Sequence, residues 1–98
     1  MNIEKKLEGD ALEIKISGRL DTATAPQLDE ELKSSIDEIK TLVMDLADLE
    51  YISSAGLRVL LSAQKTMNKQ GDMEVTGVND AVMEIFEVTG FSDILTIR

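Results

Sequence analysis

Between residues 11 and 20 the chain alternates: Leu12, Ile14 and Ile16 are apolar, and Glu13, Lys15 and Ser17 are polar. Successive side chains of a strand point to opposite faces, so this stretch predicts a half-exposed β-strand closed by Gly18-Arg19-Leu20-Asp21. Residues 1–7 predict a weaker partner strand, with Gly9-Asp10 as the hairpin turn between the two. The period then changes. Leu28, Leu32, Ile36 and Ile39 recur at helical spacing, with Asp29, Glu30, Glu31 and Lys33 on the wet side. Thr24 or Thr22 is the expected cap of this helix, and Pro26 falls in its first turn, where a missing N–H costs nothing. An acidic beginning is expected to complement the helix's positive N-terminal end.

Residues 41–46, Thr-Leu-Val-Met-Asp-Leu, are a short apolar run that predicts a central strand covered on both faces. A helix follows over 55–70, with Leu57, Leu60, Leu61, Gln64 and Met67 facing inward and Gly71 as its stop. Met73, Val75 and Val78 predict a strand through 73–78. Ala81, Val82, Ile85 and Phe86 predict a third helix ended by Gly90, and residues 93–98 a short closing strand or helix. The order β-β-α-β-α-β-α predicts an α/β fold: a mixed, mostly parallel sheet of four to five strands, its antiparallel edge supplied by the opening hairpin, with helices packed on it. The 98 residues are the size of one domain, expected to span 1–98 without a linker or repeat.

Composition restricts the chemistry. There is no Cys and no His, which removes thiolate chemistry, disulfides and the commonest zinc ligands and general bases. A net charge of −9 argues against nucleic acid and against anionic membrane surfaces as partners. Aromatic residues make up 3% of the chain, too few for a base-stacking platform. The N-terminal MNIEKKLEGD lacks the apolar core of a signal peptide, and no apolar stretch approaches the ~20 residues that span a bilayer. The expected location is the cytoplasm. No glycine-rich phosphate loop is present, so nucleotide hydrolysis is not expected.

The informative stretch runs from Asp45 to Leu60, where an apolar strand leads through a short loop into Ser53-Ser54 and an apolar helix. In a parallel α/β sheet, sites sit where a strand's C-terminal end opens a helix, beside free backbone N–H groups. A serine before a helix is ordinarily an N-cap worth about 0.5–2 kcal/mol. Two adjacent serines need not both cap, which leaves one hydroxyl spare and exposed.

Tyr51-Ile52-Ser53-Ser54-Ala55-Gly56-Leu57 resembles the phosphorylation loop of the STAS-domain anti-sigma factor antagonists, an apolar pair followed by Asp-Ser-Ser/Thr-Gly-Leu. Gly18-Arg19-Leu20-Asp21 resembles that family's Gly-x-Leu-Asp signature, and Ile85-Phe86-Glu87-Val88-Thr89-Gly90-Phe91 its third-helix ending. The three motifs occur in the family's order and the likeness spans essentially the whole chain. It implies a protein that binds an anti-sigma factor serine kinase and so frees a sigma factor. Phosphorylation of Ser54 would end that binding, and a PP2C-type phosphatase would restore it. ATP and magnesium would belong to the kinase, and the chain itself would need no cofactor. Asp21 takes the place of the family's acidic residue near the serine, and Gly56 that of the glycine that lets the helix start close to the loop. Ser53 stands where many members have Asp, and Ala55 where they have Ser or Thr; Ser53 is thus a rival phosphoacceptor. The alternative is a non-switching STAS interaction subunit of a transporter or multi-protein complex, its serines only capping.

Asp45, Asp48 and Glu50 bracket the loop, but their spacing matches no dedicated metal loop, so they read as solvated acids rather than metal ligands. No His or Lys stands beside Ser54 to activate it as a nucleophile, so an enzyme is not expected. Residues 51–71 contain no acid, and Arg58, Lys65 and Lys69 fall on one helical face with Ser62 between them. Asp21, Ser53, Ser54, Gly56 and Arg58 form the expected partner-binding set.

Overall fold

The computed structural model describes residues 1–98. Strand β1 (Asn2–Glu8) pairs antiparallel with β2 (Ala11–Leu20), with Ile3 opposite Ile16 and Leu7 opposite Leu12. The tight turn between them puts Gly9 at φ 62°, a left-handed conformation that glycine adopts without a Cβ penalty. Helix α1 (Ala25–Ser35), strand β3 (Thr41–Ile52), helix α2 (Ser54–Gln70), strand β4 (Asp72–Thr76) and helix α3 (Asp80–Thr89) follow in the expected order. The four strands form one sheet in the order β1-β2-β3-β4, in which β2, β3 and β4 run parallel. A 3-10 turn (Phe91–Asp93) follows α3, and Ile97 then bridges to Val75. The closing segment is therefore neither a full strand nor a helix. It lies along β4, where Val75 N–H donates to Thr96 O at 2.8 Å and Arg98 N–H to Val75 O at 2.9 Å. No helix is long and apolar enough to cross a membrane.

The register explains the core. Leu12 lies beside Leu42 and Ile14 beside Met44; across the next pair, Leu42 meets Met73 and Met44 meets Val75. These side chains form one buried row, packed with Leu28 and Leu32 of α1, Leu60 and Met67 of α2, and Phe86 of α3. Each fully buried side chain of this kind contributes about 1.5–3 kcal/mol. The opposite face of the sheet carries Glu13, Lys15, Val43, Asp45, Glu74 and Thr76 and is at most half-buried.

Three expectations need correction. β3 is central in the sheet but buried on one face only: Leu42, Met44 and Leu46 are enclosed, while Thr41, Val43 and Asp45 are half-buried. The polar Asp45 sits in the open alternate row, which a strand covered on both faces could not hold unpaired. β3 also extends to Ile52, so Asp48 and Glu50 belong to the strand and not to a loop. Finally, α1 has no acid in its first turn and ends at Ser35, so Ile36 and Ile39 are buried just beyond it.

Two side chains tie the connections together. Asn79 caps α3, its Oδ1 accepting from Val82 N–H at 2.9 Å, while its Nδ2 donates to Leu49 O at 2.7 Å. Gln70, at the end of α2, donates through Nε2 to Ile36 O at 2.8 Å and Ile39 O at 2.7 Å. Asn79 thereby ties the start of α3 to β3, and Gln70 ties the end of α2 to the α1–β3 connection, where Ile36 O also accepts from Ile39 N–H at 3.2 Å.

Candidate functional site

β2 and β3 are parallel, so both chains leave the sheet at the same end. Leu20 and Ile52 are the last register pair, and Ser53 N–H donates to Leu20 O at 2.8 Å. That bond sets the Asp21 turn beside the start of α2. Gly56 makes the approach closer still: a Cβ there would lie 2.7 Å from Leu20 Cγ and 2.9 Å from Ile52 Cγ1. The first turn of α2 thus rests on the ends of both strands, as the Gly-Leu of the sequence motif requires.

The two serines have different surroundings. Ser53 is the N-cap, with φ −98° and ψ 175°, and its Oγ accepts from Gly56 N–H at 3.5 Å. Its carbonyl accepts the first helical bond, from Leu57 N–H at 2.9 Å. Ser53 is half-buried, and its hydroxyl is used by the helix. Ser54 is the first residue of α2, exposed, and its hydroxyl has no protein partner. No acid lies in that turn to oppose a negative group. Arg58 is exposed one helical turn further on, on the same side as Ser54.

Asp21 is held by its own turn. Its Oδ1 accepts from Ala23 N–H at 3.0 Å and Thr24 N–H at 3.1 Å. The Thr24 hydroxyl, expected to cap α1, instead donates to Arg19 O at 2.8 Å and accepts from Asp21 N–H at 2.8 Å. Thr24 has near-helical torsions of φ −99° and ψ −21°, whereas a capping side chain needs extended ones. Thr22 is exposed and makes no cap either. The Thr24 N–H holds the Asp21 carboxyl below the usual carboxylate range; partial burial opposes this, while the Thr24 hydroxyl, Ala23 N–H and Arg19 reinforce it.

A pH dependence follows from that direction. A carboxyl whose folded pKa is depressed adds stability at pH values above its unfolded value, near 3.9, and loses it as pH falls through the folded value. Asp21→Asn should therefore be less stable than wild type at pH 7, with the gap closing below about pH 4. Urea melts at both pH values check this; a gap that stays constant from pH 7 to pH 3 would show that the charge is not what stabilises the turn.

The sequence did not single out Arg19 and Tyr51. They are register partners at the strand ends, and the Arg19 guanidinium sits over the Tyr51 ring, 4.4 Å from its centroid. Alternation could not have paired them, because two register shifts between β2 and β3, at Lys15/Ser17 and Gly18/Arg19, bring Arg19 beside Tyr51 and not beside Leu49. A shallow cavity of about 250 Å³ also lies between the starts of α1 and α2, lined by Thr22, Ala25, Pro26, Asp29, Ala55 and Val59. Of the acids beside the loop, Asp48 pairs with Lys15 at 3.2 Å and Asp45 accepts from Ala47 N–H at 3.0 Å. The Asp48 carboxylate, with Asp45 next, holds the Lys15 ammonium above its ordinary pKa. Glu50 is exposed on β3. Asp21, Ser53, Ser54 and Gly56 thus meet at one end of the sheet, with Arg58 on the adjoining helix face.

The chain matches the STAS domain family over residues 2–98. It is 34% identical over 103 aligned positions to the anti-sigma-B factor antagonist of Listeria monocytogenes, an alignment covering 100% of this chain and 90% of that protein. Its fold superposes on the crystal structure of an anti-sigma factor antagonist from Mycobacterium paratuberculosis with a TM-score of 0.89 at 23% identity, covering 98% of this chain and 83% of the other. It is also similar to the Bacillus cell fate determinant SpoIIAA in its phosphorylated form, with a TM-score of 0.77 and 14% identity over 99% of this chain and 91% of that one. With the family match over residues 2–98 and the full-length likeness in agreement, this chain belongs to the STAS-domain anti-sigma factor antagonist family.

Proposed function

We propose that the protein is an anti-sigma factor antagonist: unmodified, it binds an anti-sigma factor that is a serine kinase and frees a sigma factor, and phosphorylation of Ser54 switches the binding off. The observation that carries this reading is the division of labour between the serines. Ser53 Oγ caps α2, and Ser54 stands exposed at its first residue with an uncommitted hydroxyl. Relatives named anti-sigma-B factor antagonists support the partner class, and a structural neighbour has been seen in a phosphorylated form.

The chemistry is consistent. A phosphate adds about −1.5 to −2 charges at pH 7. At a helix N-terminus, free N–H groups and the dipole accept such a group without disturbing the fold. The change is then felt by the partner, whose surface would meet a bulky dianion where it had fitted a hydroxyl. Asp21, Ser53 and Arg58 form the rest of the contact surface, and Gly56, buried beneath it, seats the start of α2 on the strand ends. A PP2C-type phosphatase resets the switch in the cytoplasm, and neither nucleic acid nor membrane takes part. The protein acts by binding and not as an enzyme.

The test is phosphate mapping. The protein is incubated with ATP, magnesium and a cognate anti-sigma kinase, and the product is mapped by mass spectrometry alongside Ser53→Ala and Ser54→Ala. One phosphate, lost only in Ser54→Ala, is expected. A phosphate that follows Ser53 would move the site while keeping the switch. No phosphate from any cognate kinase would favour the alternative, a non-switching STAS subunit of a larger complex.

A further inference from the structure

The chain's charges are unevenly used. Of its ten Lys and Arg residues, Lys5, Lys6, Lys15, Arg19, Lys33 and Arg98 each pair with a carboxylate. The other four, Lys40 before β3 and Arg58, Lys65 and Lys69 on α2, are exposed with no carboxylate within pairing distance, so three of the four unpaired cations share one helix. With Ser62 these three lie along one side of a 17-residue helix whose first residue is Ser54. No acid occurs anywhere from Tyr51 to Gly71, although the protein as a whole carries −9. Surface cations in an acidic chain ordinarily find an intramolecular partner or at least an acidic neighbour on their own helix. Here three of them have neither, on the helix that begins at the candidate switch.

We infer that the outer face of α2, from Arg58 through Lys65 to Lys69, is a docking surface for an acidic patch on the anti-sigma factor, continuous with the contact around Ser54. This rests on the function proposed above and specifies the chemistry of its partner. The rest of the molecule would repel an acidic surface, so this face is where such a partner can approach, and it sets the orientation that delivers Ser54 to the kinase site. The same geometry gives the phosphate a second effect. Arg58 lies four positions after Ser54, the spacing of an ion pair along a helix, so a phosphate on Ser54 would draw the Arg58 guanidinium away from the partner.

The decisive experiment is titration calorimetry of the full-length protein against its cognate anti-sigma kinase, at 50 mM and 500 mM salt. Wild type, Arg58→Glu, Lys65→Glu/Lys69→Glu and the control Lys6→Glu are compared, each with its fold checked by circular dichroism. Lys6 lies in the opening hairpin, away from α2. The α2 reversals should weaken binding at least about ten-fold at low salt, with the gap shrinking to about three-fold or less at high salt, while Lys6→Glu stays within about two-fold of wild type. If wild type binds and the α2 reversals bind equally well, the docking surface is refuted and Arg58 leaves the contact set, while the switch at Ser54 stands. If all variants weaken alike, net charge and not this face is responsible, and the inference also fails. Should light scattering instead show a wild-type dimer that Arg58→Glu dissolves with kinase affinity unchanged, the face belongs to a second copy of this chain. Failure of unmodified wild type to bind any anti-sigma kinase would overturn the proposed function itself, and this inference with it.

Discussion

Ser54→Asp should lower affinity for the anti-sigma kinase by two to three decades while melting within a few degrees of wild type. The two halves of that expectation have separate physical origins. Ser54 is exposed and its hydroxyl bonds nothing in the protein, so replacing it removes no internal contact. A carboxylate in the first turn of a helix is mildly stabilising, by about 0.3–1 kcal/mol, and α2 has no acid there of its own. Binding is another matter. A partner surface that encloses a hydroxyl must desolvate the new charge or open a gap around it, and a loss of about 3–4 kcal/mol corresponds to a two- to three-decade drop. Ser54→Ala removes only the phosphoacceptor and should bind as wild type does, without being switched off by kinase and ATP. Ser53→Ala should behave in the opposite way, costing about 1 kcal/mol of stability through the lost cap. Calorimetric titration and thermal melts on the three variants separate these outcomes. A Ser54→Asp protein that unfolds, or one that binds at wild-type strength, would refute an effect exerted at the interface.

The same residues show what the sequence could and could not disclose. Alternation over Leu12, Ile14 and Ile16 was sufficient for β2, and the helical spacing of Leu57, Leu60, Gln64 and Met67 for α2, because each repeats one local geometry against one core. β3 was read too short because its period breaks. After Leu46 the next buried residues are Leu49 and Ile52, at intervals of three, where the pairing with β2 shifts register near Ser17 and Gly18. A strand that changes phase no longer looks like one in sequence. The chain also cannot announce which polar side chain wins a cap. Thr24 had the right chemistry and the wrong torsions, so Asp21 took the turn's N–H groups. Asn79 and Gln70 bond to carbonyls some thirty residues away in sequence, a relation that only the folded chain creates. The serine pair was legible as a pair. Its division into a capping and a free hydroxyl became definite once α2 was seen to begin at Ser54.

Gly71→Ala should be the most damaging single-methyl change in the chain, at about 3 kcal/mol, which in a domain this small lowers the melting temperature by about 10–20 °C. The reason is close approach and not backbone freedom. Gly71 has φ 176°, an extended value open to any residue. A Cβ there, however, would lie 1.9 Å from Lys40 O and 2.7 Å from Lys40 C. That carbonyl cannot easily move, because it accepts from Asp72 N–H at 2.9 Å where β4 joins β3. The obstacle is backbone, so no rotamer change relieves it, and the α2–β4 turn must shift away from the α1–β3 connection that Gln70 also grips. Gly90→Ala is the matched comparison. Gly90 ends α3 at φ 81° with open space around its missing Cβ, so the added methyl there meets only the left-handed backbone penalty of about 1–2 kcal/mol. Denaturant melts of both variants decide the matter. If Gly71→Ala cost no more than Gly90→Ala, the contact with Lys40 would not be what demands glycine at the end of α2. A larger loss at Gly71, with Ser54 phosphorylation and partner binding retained below the melting transition, would mark the α2–β4 junction as a structural joint, separate from the switch at the other end of the same helix.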